Sequence, residues 1–478
     1  MEREAVKRFT GLASDSRDIK PGYLFAAIAG TKGDGAQFVP DAVKRGAVAV
    51  LGRPEIAEAV ATAGVAFIAA ENPRLALAHY AAAFYGTQPK VIAAVTGTNG
   101  KTSIAVFLRE IWTRLGKPAA SMGTIGVVTP NHTVKLDNTT PGPIEVQRIL
   151  ADLKTSGIDH MALEASSHGL DQYRLDGAEI SAVAVTNITR DHLDYHPNFE
   201  AYIQAKLRLF RDLARDGAAA VINADADYAD RFIAAASQRG LRLFTVGEAG
   251  GGLKLIVRKP TADGQELKVV YAGQTFTVAL PLAGAFQASN ALVAAGLAIG
   301  LGEDPAAVFD ALHYLKGAPG RLEKVAVAAS GAPIYVDYAH TPDALETVLL
   351  ALRPHTARKL VAVFGCGGDR DKGKRPLMGA SAARLADRAI VTDDNPRSEV
   401  PAQIRAEILA ACPSASDIAD RALAIRTAIS ELSSGDVLVI AGKGHESGQI
   451  VGSVVLPFGD RDEAIKAAIA LGGREYLP

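Results

Sequence analysis

Thr96-Gly97-Thr98-Asn99-Gly100-Lys101-Thr102-Ser103 follows the apolar run Val91-Ile92-Ala93-Ala94-Val95 and precedes a helical pattern over 104–115. Strand, glycine loop, lysine, hydroxyl and helix, in that order, is what a phosphate site requires. The glycines let backbone N–H groups turn toward a phosphate, and the helix N-terminus adds about half a positive charge. Lys101 can then reach the terminal phosphates, and the Thr102 hydroxyl can ligate Mg²⁺. Gly97, Thr98, Asn99, Gly100, Lys101, Thr102 and Ser103 are therefore expected to bind ATP. The spacing departs from the usual phosphate loop, which places a glycine where Val95 stands.

Two more apolar runs end in polar clusters. His160-Met161-Ala162-Leu163 ends in Glu164 before Ala165-Ser166-Ser167-His168-Gly169, and 182–185 leads to Thr186-Asn187 and then Asp191-His192-Leu193-Asp194. A carboxylate and an imidazole at neighbouring strand tips can complete a metal shell begun by Thr102. Lys206 is the least expected residue of this block. On a helix over 199–213 the apolar positions Phe199, Ile203, Phe210 and Leu213 form one stripe, and Lys206 falls inside it. Such a lysine either snorkels to water or is buried for a reason near the site, and composition leaves both open.

These residues need a scaffold of strand tips. Short β-branched runs alternate with amphipathic helical stretches along the chain, the pattern of βαβ units with parallel sheets. The runs 23–28, 47–51 and 65–70, with a helix over 74–85, predict a small first domain, and Gly86-Thr87-Gln88-Pro89 reads as a linker. A second block opens at Val91 and ends near Gly317-Ala318-Pro319-Gly320. Beyond it the strands 334–338, 360–364, 389–392 and 437–441 are each followed at once by a polar cluster, which predicts one facing site beyond their carboxyl ends. The expected architecture is α/β in three domains, 1–88, 89–317 and 318–478, with a central mostly parallel sheet of the phosphate-loop type and a Rossmann-like C-terminal domain.

The net charge of −1 offers no global field to draw the chain to nucleic acid, so any bound anion must be held locally. Residues 1–10 carry Glu2, Arg3, Glu4, Lys7 and Arg8, and no later run reaches the length of a membrane span, so a cytoplasmic protein is expected. Cys366 and Cys412 are too few for a disulfide framework, and Cys366 reads as a small core filler.

Taken in order, Thr96-Gly97-Thr98-Asn99-Gly100-Lys101-Thr102, Leu163-Glu164-Ala165-Ser166-Ser167-His168-Gly169, Thr186-Asn187-Ile188-Thr189-Arg190-Asp191-His192-Leu193-Asp194, Asp337-Tyr338-Ala339-His340 and Gly442-Lys443-Gly444-His445-Glu446 resemble the Mur ligase family. The resemblance spans the whole chain. It implies an ATP-dependent ligase of peptidoglycan precursor synthesis, monomeric, acting through an acyl phosphate that an amine attacks. It implies that Lys206 is carbamylated by CO₂ and supports Mg²⁺ beside Thr102, Glu164 and His192. Lys101, Lys206, His192 and Glu164 are thus the expected catalytic group, and Arg321, Asp337 and His340 the further ATP contacts.

By the same resemblance the substrate is UDP-N-acetylmuramoyl-L-alanyl-D-glutamate. Ser16, Thr31, Lys32 and Gly33 are expected to hold its uridine nucleotide, and Asn138, Thr139, Thr140, Ser166, Gln172 and Arg174 its muramoyl dipeptide. Ser14 stands where family members commonly carry a larger apolar residue. Asp393-Asp394-Asn395-Pro396-Arg397 resembles the signature for meso-diaminopimelate as the incoming amine, because Arg397 can hold a carboxylate through two parallel N–H bonds. Arg370, Asp394, Asn395, Pro396, Gly442 and Glu446 would complete that pocket. Read alone, Asn395-Pro396 is simply a turn. Two other ligases remain open, one adding L-lysine and one like folylpolyglutamate synthase, and so does a module that senses ATP without chemistry. A site divided between the second and third domains would exclude water by closing about Gly317–Gly320.

Overall fold

The structure, a computed structural model, describes residues 6–30 and 33–477. The chain divides into two compact units, Met1–Gly252 with Val293–Asp304, and Leu253–Leu292 with Pro305–Pro478.

The first unit begins with a four-stranded parallel sheet in sequential order, β1 (Gly11–Ala13), β2 (Tyr23–Ala26), β3 (Ala47–Gly52) and β4 (Ala66–Ala69). Successive side chains alternate across it: Leu24 and Leu51 join Leu77 in one apolar cluster, Phe25 and Val50 join Val60 in another. Cover on both faces is why these strands read as unbroken apolar runs. The helix Pro73–Tyr85 is capped by Asn72 and ended by Gly86 at φ 72°. Gln88 in the following linker is held at three points, donating to Gln147 Oε1 (3.1 Å) and Gly177 O (2.7 Å) and accepting the Glu179 N–H (2.9 Å).

The larger sheet of this unit contains β5 (Val91–Thr96), β6 (Ala119–Gly123), β7 (Gly126–Val128), β8 (Thr133–Val134), β9 (His160–Glu164), β10 (Ile180–Val185), β11 (Ala214–Asn223) and β12 (Arg242–Gly247), in the order β12-β11-β10-β5-β9-β6-β7-β8. Pairing is parallel from β12 to β6 and antiparallel at β7 and β8. The chain steps from β5 to β6 on one side, returns to β9, then crosses to β10 on the other. β5 therefore lies at the switch of direction, where open α/β sheets bind ligands beyond their carboxyl ends. The helix expected over 199–213 is α-helical only for Phe199–Arg208 and continues as a π turn, Leu209–Leu213. Widening the last turn changes the angular spacing of the stripe, so Leu209 is buried beside Phe210 and Leu213.

The second unit opens with an antiparallel meander, β13 (Leu253–Thr261), β14 (Gly264–Tyr271) and β15 (Gln274–Leu280). Its buried positions alternate, as in Leu253 and Leu255, Leu267 and Val269, and Val278 and Leu280, the mark of a sheet with one covered face. A seven-stranded sheet follows, built from β16 (Glu323–Val327), β17 (Pro333–Asp337), β18 (Leu360–Phe364), β19 (Arg388–Val391), β20 (Ser416–Asp417), β21 (Val437–Ala441) and β24 (Arg474–Glu475). Its order is β20-β19-β18-β21-β17-β16-β24, parallel except at β16 and β24. An exposed hairpin, β22 (Gly448–Val451) and β23 (Val454–Pro457), completes the strands. Because β17, β18, β19 and β21 run parallel, the polar segments after them emerge at one edge. Among the described residues no helix is long and apolar enough to cross a membrane.

Candidate active site

β5 delivers the chain into the phosphate loop, and Gly100, at φ 88°, starts the helix Lys101–Arg114 without any side-chain capping bond. No N-cap side chain occupies that end, the arrangement that suits a bound anion. Thr102 and Ser103 are buried in that turn. The loop is held from the tip of β10: Asn187 O accepts the Thr98 N–H (2.8 Å), Asn187 Oδ1 accepts the Asn99 N–H (3.1 Å), and Thr186 Oγ1 donates to Asn99 O (2.5 Å). Sequence reasoning quoted Thr186 and Asn187 but gave them no role.

Gly97 adopts φ 138° and faces Thr186 so closely that a Cβ would overlap its Oγ1. Gly97→Ala is expected to cost roughly 1–3 kcal/mol of stability and to weaken binding of a non-hydrolysable ATP analogue at least tenfold. Paired thermal melts and calorimetric titrations check both numbers.

Lys206 is buried, with 1% of its surface exposed, which excludes the snorkelling alternative. Its Nζ donates to Gly97 O (2.7 Å) and lies 4.6 Å from the centre of the Tyr202 ring. Lys101 Nζ donates to the same Gly97 O (2.9 Å) and to Thr98 O (2.8 Å). Burial, and then the charge of Lys101, hold the Lys206 amine well below the ordinary lysine range. Tyr202, which sequence reasoning missed because an aromatic on an apolar stripe reads as core, shares a 2.9 Å hydrogen bond with Thr98 Oγ1.

Glu164 ends β9 almost fully buried, and its Oε1 accepts the Thr124 N–H (2.8 Å). Around it the structure gathers most of the residues expected to hold the muramoyl dipeptide. Thr140 Oγ1 donates to Glu164 O (2.8 Å) and accepts from Ser166 N (3.1 Å) and Ser166 Oγ (3.0 Å). Arg174 donates to Thr140 O (2.7 Å) and Gln172 Oε1 (2.8 Å), while Thr139 Oγ1 lies 3.1 Å from Thr124 Oγ1. Asn138 is exposed just before them.

His192 has a left-handed backbone, φ 52°, and its half-exposed ring sits 3.6 Å from Asp191 and edge-on to His168, ring centres 4.9 Å apart. Burial, and then the neighbouring His192 and His196, hold His168 below the ordinary histidine range; burial does the same for His196, partly opposed by Asp171. Among the described residues no group of three His, Cys, Asp or Glu forms a metal cage.

Of the residues expected to hold uridine, Ser16 is buried in the turn after β1, and Gly33 follows β2, its carbonyl accepting the Gly30 N–H (2.8 Å). Thr31 and Lys32 lie outside the described residues.

In the second unit Asp337 ends β17, and its two oxygens accept the N–H groups of Leu322 (2.6 Å) and Ala339 (2.7 Å). Leu322 has φ 49°, so the carboxylate pins a turn that its own residue disfavours. Arg321 lies 4.8 Å from the centre of the Tyr338 ring, and exposed His340 bonds through Nδ1 to Tyr338 O (2.8 Å).

Burial raises the Asp337 carboxyl to about 6, outweighing Arg321 and both amide bonds. Its proton is therefore held more tightly in the folded chain. The stability it contributes is complete below pH 4 and lost as pH rises through 6, a swing of about 3 kcal/mol. Subtracting the pH–stability curve of Asp337→Ala from that of the parent should isolate a fall of this size between pH 4 and 6; a flat difference would contradict it.

After β19, Asp394, Asn395 and Pro396 are buried, and Arg397 adopts φ 51°. Arg397 Nη1 donates to Gly368 O (2.9 Å), so the guanidinium leans on backbone carbonyls rather than on a carboxylate. After β21, Gly442 at φ 123° leaves room for Asp394, whose Oδ2 a Cβ there would crowd. Asn395 donates from Nδ2 to Glu446 Oε2 (3.1 Å) and accepts at Oδ1 from Lys443 Nζ (2.9 Å). Sequence reasoning quoted Lys443 within a motif and assigned it nothing. Arg370 stands exposed on the loop after β18. Cys366 is buried, as expected of a filler, and burial pushes its thiol up to about 12.

Three family models match in succession: "Mur ligase family, catalytic domain" over residues 8–85, "Mur ligase middle domain" over 95–298 and "Mur ligase, glutamate ligase domain" over 320–444. A ligase of Bradyrhizobium diazoefficiens is 56% identical over 470 residues, covering 98% of this chain and 96% of its own. The chain belongs to the Mur ligase family. That relative is a UDP-N-acetylmuramoyl-L-alanyl-D-glutamate--2,6-diaminopimelate ligase. A protein of the same description from Caulobacter vibrioides is 56% identical over 463 residues, covering 96% of this Mur ligase and 95% of its own chain. A solved structure with that description superposes with a TM-score of 0.75 at 35% identity, covering 97% of this chain and 95% of its own. The mixed α/β fold and the resemblance expected from sequence both stand.

Proposed function

We propose that this Mur ligase joins meso-2,6-diaminopimelate to UDP-N-acetylmuramoyl-L-alanyl-D-glutamate, with conversion of ATP to ADP and phosphate, in peptidoglycan precursor synthesis. Residues 1–88 would hold the uridine nucleotide through Ser16, Thr31, Lys32 and Gly33, residues 89–317 the ATP and the muramoyl dipeptide, and residues 318–478 the amino acid. The observation that carries the reading is a buried Lys206 sharing Gly97 O with Lys101, a second amine beneath a phosphate loop. A chain that merely senses ATP has no use for it. A folylpolyglutamate synthase would in turn have no use for the β1–β4 sheet.

The γ-phosphoryl group passes from ATP to the D-glutamyl γ-carboxylate, breaking one P–O bond and forming another. The amine then attacks the acyl carbon, loses a proton and expels phosphate. Both early partners are anionic, and at about 4 Å two unit charges repel by ~4 kcal/mol at an effective dielectric of 20. Lys101 and the N–H groups of the uncapped first turn oppose that repulsion, and they remain in place to stabilise charge on the acyl oxygen as the amine adds. Thr140, Ser166, Gln172 and Arg174 orient the dipeptide so that its carboxylate meets the loop. Arg321, Asp337 and His340 would add contacts to ATP.

Mg²⁺ is commonly held by one or two carboxylates, with phosphates and water completing its shell; Glu164 and the proposed carbamate are two such groups, so a site without a three-residue cage among the described residues fits it. Thr102, Glu164 and His192 would hold it with a carbamate on Lys206, whose burial favours the neutral amine that CO₂ requires. Bound there, Mg²⁺ supplies neutralisation of the phosphate charge. Incubation with ATP, the UDP-muramoyl dipeptide and each amine in turn tests the reading: phosphate release and product should depend on meso-diaminopimelate. Comparable kcat/KM with L-lysine would sink the choice of amine.

A further inference from the structure

Two completely buried cations of the second unit, Arg421 and Lys443, approach the carboxyl end of β21, and they are used differently. Arg421 is engaged by Asp460, likewise fully buried, through bonds of 2.7 and 2.8 Å, and its remaining reach goes to Ala441 O (2.9 Å). Lys443, two residues past β21 and also without exposed surface, faces the amine pocket instead. Its Nζ lies 3.7 Å from Asp394 Oδ1 and 3.6 Å from Glu446 Oε2, and donates to Asn395 Oδ1. That oxygen also accepts the Ile450 N–H (2.9 Å). With two donors on Oδ1, the Asn395 amide has one orientation, which turns Nδ2 onto Glu446. One ammonium thus ties together the segments after β19 and β21, with β22.

We propose that Lys443 is a specificity-determining, positioning residue of the amine pocket: it fixes Asn395 and offsets Asp394 and Glu446, so that an amino acid with two carboxylates is preferred over one with a single carboxylate. This rests on the function proposed above. meso-Diaminopimelate with both amines protonated is neutral, whereas L-lysine carries one net positive charge. Arg397 offers a directional partner to the extra carboxylate. Lys443 sets the background charge against which both amines are judged, and a pocket deprived of it favours the more cationic one.

The test uses the full chain with Lys443→Met, which keeps the length and removes the charge, at saturating ATP and UDP-muramoyl dipeptide. The ratio of kcat/KM for meso-diaminopimelate to that for L-lysine should fall about tenfold, with KM for ATP within twofold of the parent. Lys443→Gln keeps a donor for Asn395 but no charge, so it should show the same fall in ratio with a smaller loss of rate. If melting shows that the Met variant does not fold, the Gln variant carries the comparison. Equal losses for both amines, leaving the ratio unchanged, would mean a purely structural lysine and overturn the proposal. Absence of any preference in the parent chain would instead overturn the function on which it rests.

Discussion

Replacing Lys206 by alanine is expected to lower kcat/KM about a thousandfold, with partial recovery when a short-chain carboxylic acid such as acetate is added. The size follows from the position: the Nζ lies on Gly97 O, within the loop where charge develops, and loss of one preorganised group at such a place costs about 3–4 kcal/mol. The recovery follows from the proposed chemistry, since a carbamate presents a carboxylate and an exogenous acid can stand in the space alanine leaves. Alanine also removes buried methylene groups, so folding must be separated from function. Lys206→Met keeps the volume and should match the activity loss with little change in melting temperature. Recovery by an added alkylamine instead of an acid would show that the free amine is what the site uses.

Arg397→Ala is expected to lower kcat/KM for meso-diaminopimelate by 10²–10³, about 3–4 kcal/mol, while KM for ATP stays within twofold. The guanidinium is only partly buried and leans on Gly368 O and, at 3.4 Å, Asn395 O, so it is oriented before any substrate arrives. A carboxylate then meets a fork whose rotamer is already fixed. Arg397→Lys should fall between parent and alanine, since it keeps the charge and loses the fork. Use of L-lysine should change little. A matched rise in the constant for ATP would indicate a folding defect in the second unit.

Strand tips were the most legible part of this molecule. The ends at Glu164 and Phe364 fall where the apolar runs stop, because buried parallel strands carry few polar residues before their carboxyl ends. The phosphate loop was legible for the same reason, and its missing glycine has a geometric cause: β5 extends through Thr96, so the turn begins only at Gly97. Lys206 could be placed on a stripe but not in or out of water, since period fixes direction and not depth. The π turn at Leu209–Leu213 left no sign, because one extra residue in a ring is invisible to a count of apolar positions. Lys443 was passed over because a lysine between glycines reads as a solvated turn, and only the fold shows two carboxylates and an amide converging on it. Arg397 was found by type; its left-handed backbone was not, since nothing but the hairpin bridge to Val451 demands it.

The uncapped start of Lys101–Arg114 sets a limit on how far this protein can be made heat-resistant. Serine or aspartate before a helix ordinarily contributes about 1 kcal/mol by occupying the first free amides. On the proposed function, the same change at Gly100 would place an oxygen where the nucleotide's phosphates are to sit, on a backbone at φ 88° that disfavours side chains. On that reading the helix borrows its cap from its substrate. Engineering for durability must work elsewhere in the chain, and the natural sequence keeps one loose helix end as a condition of turnover.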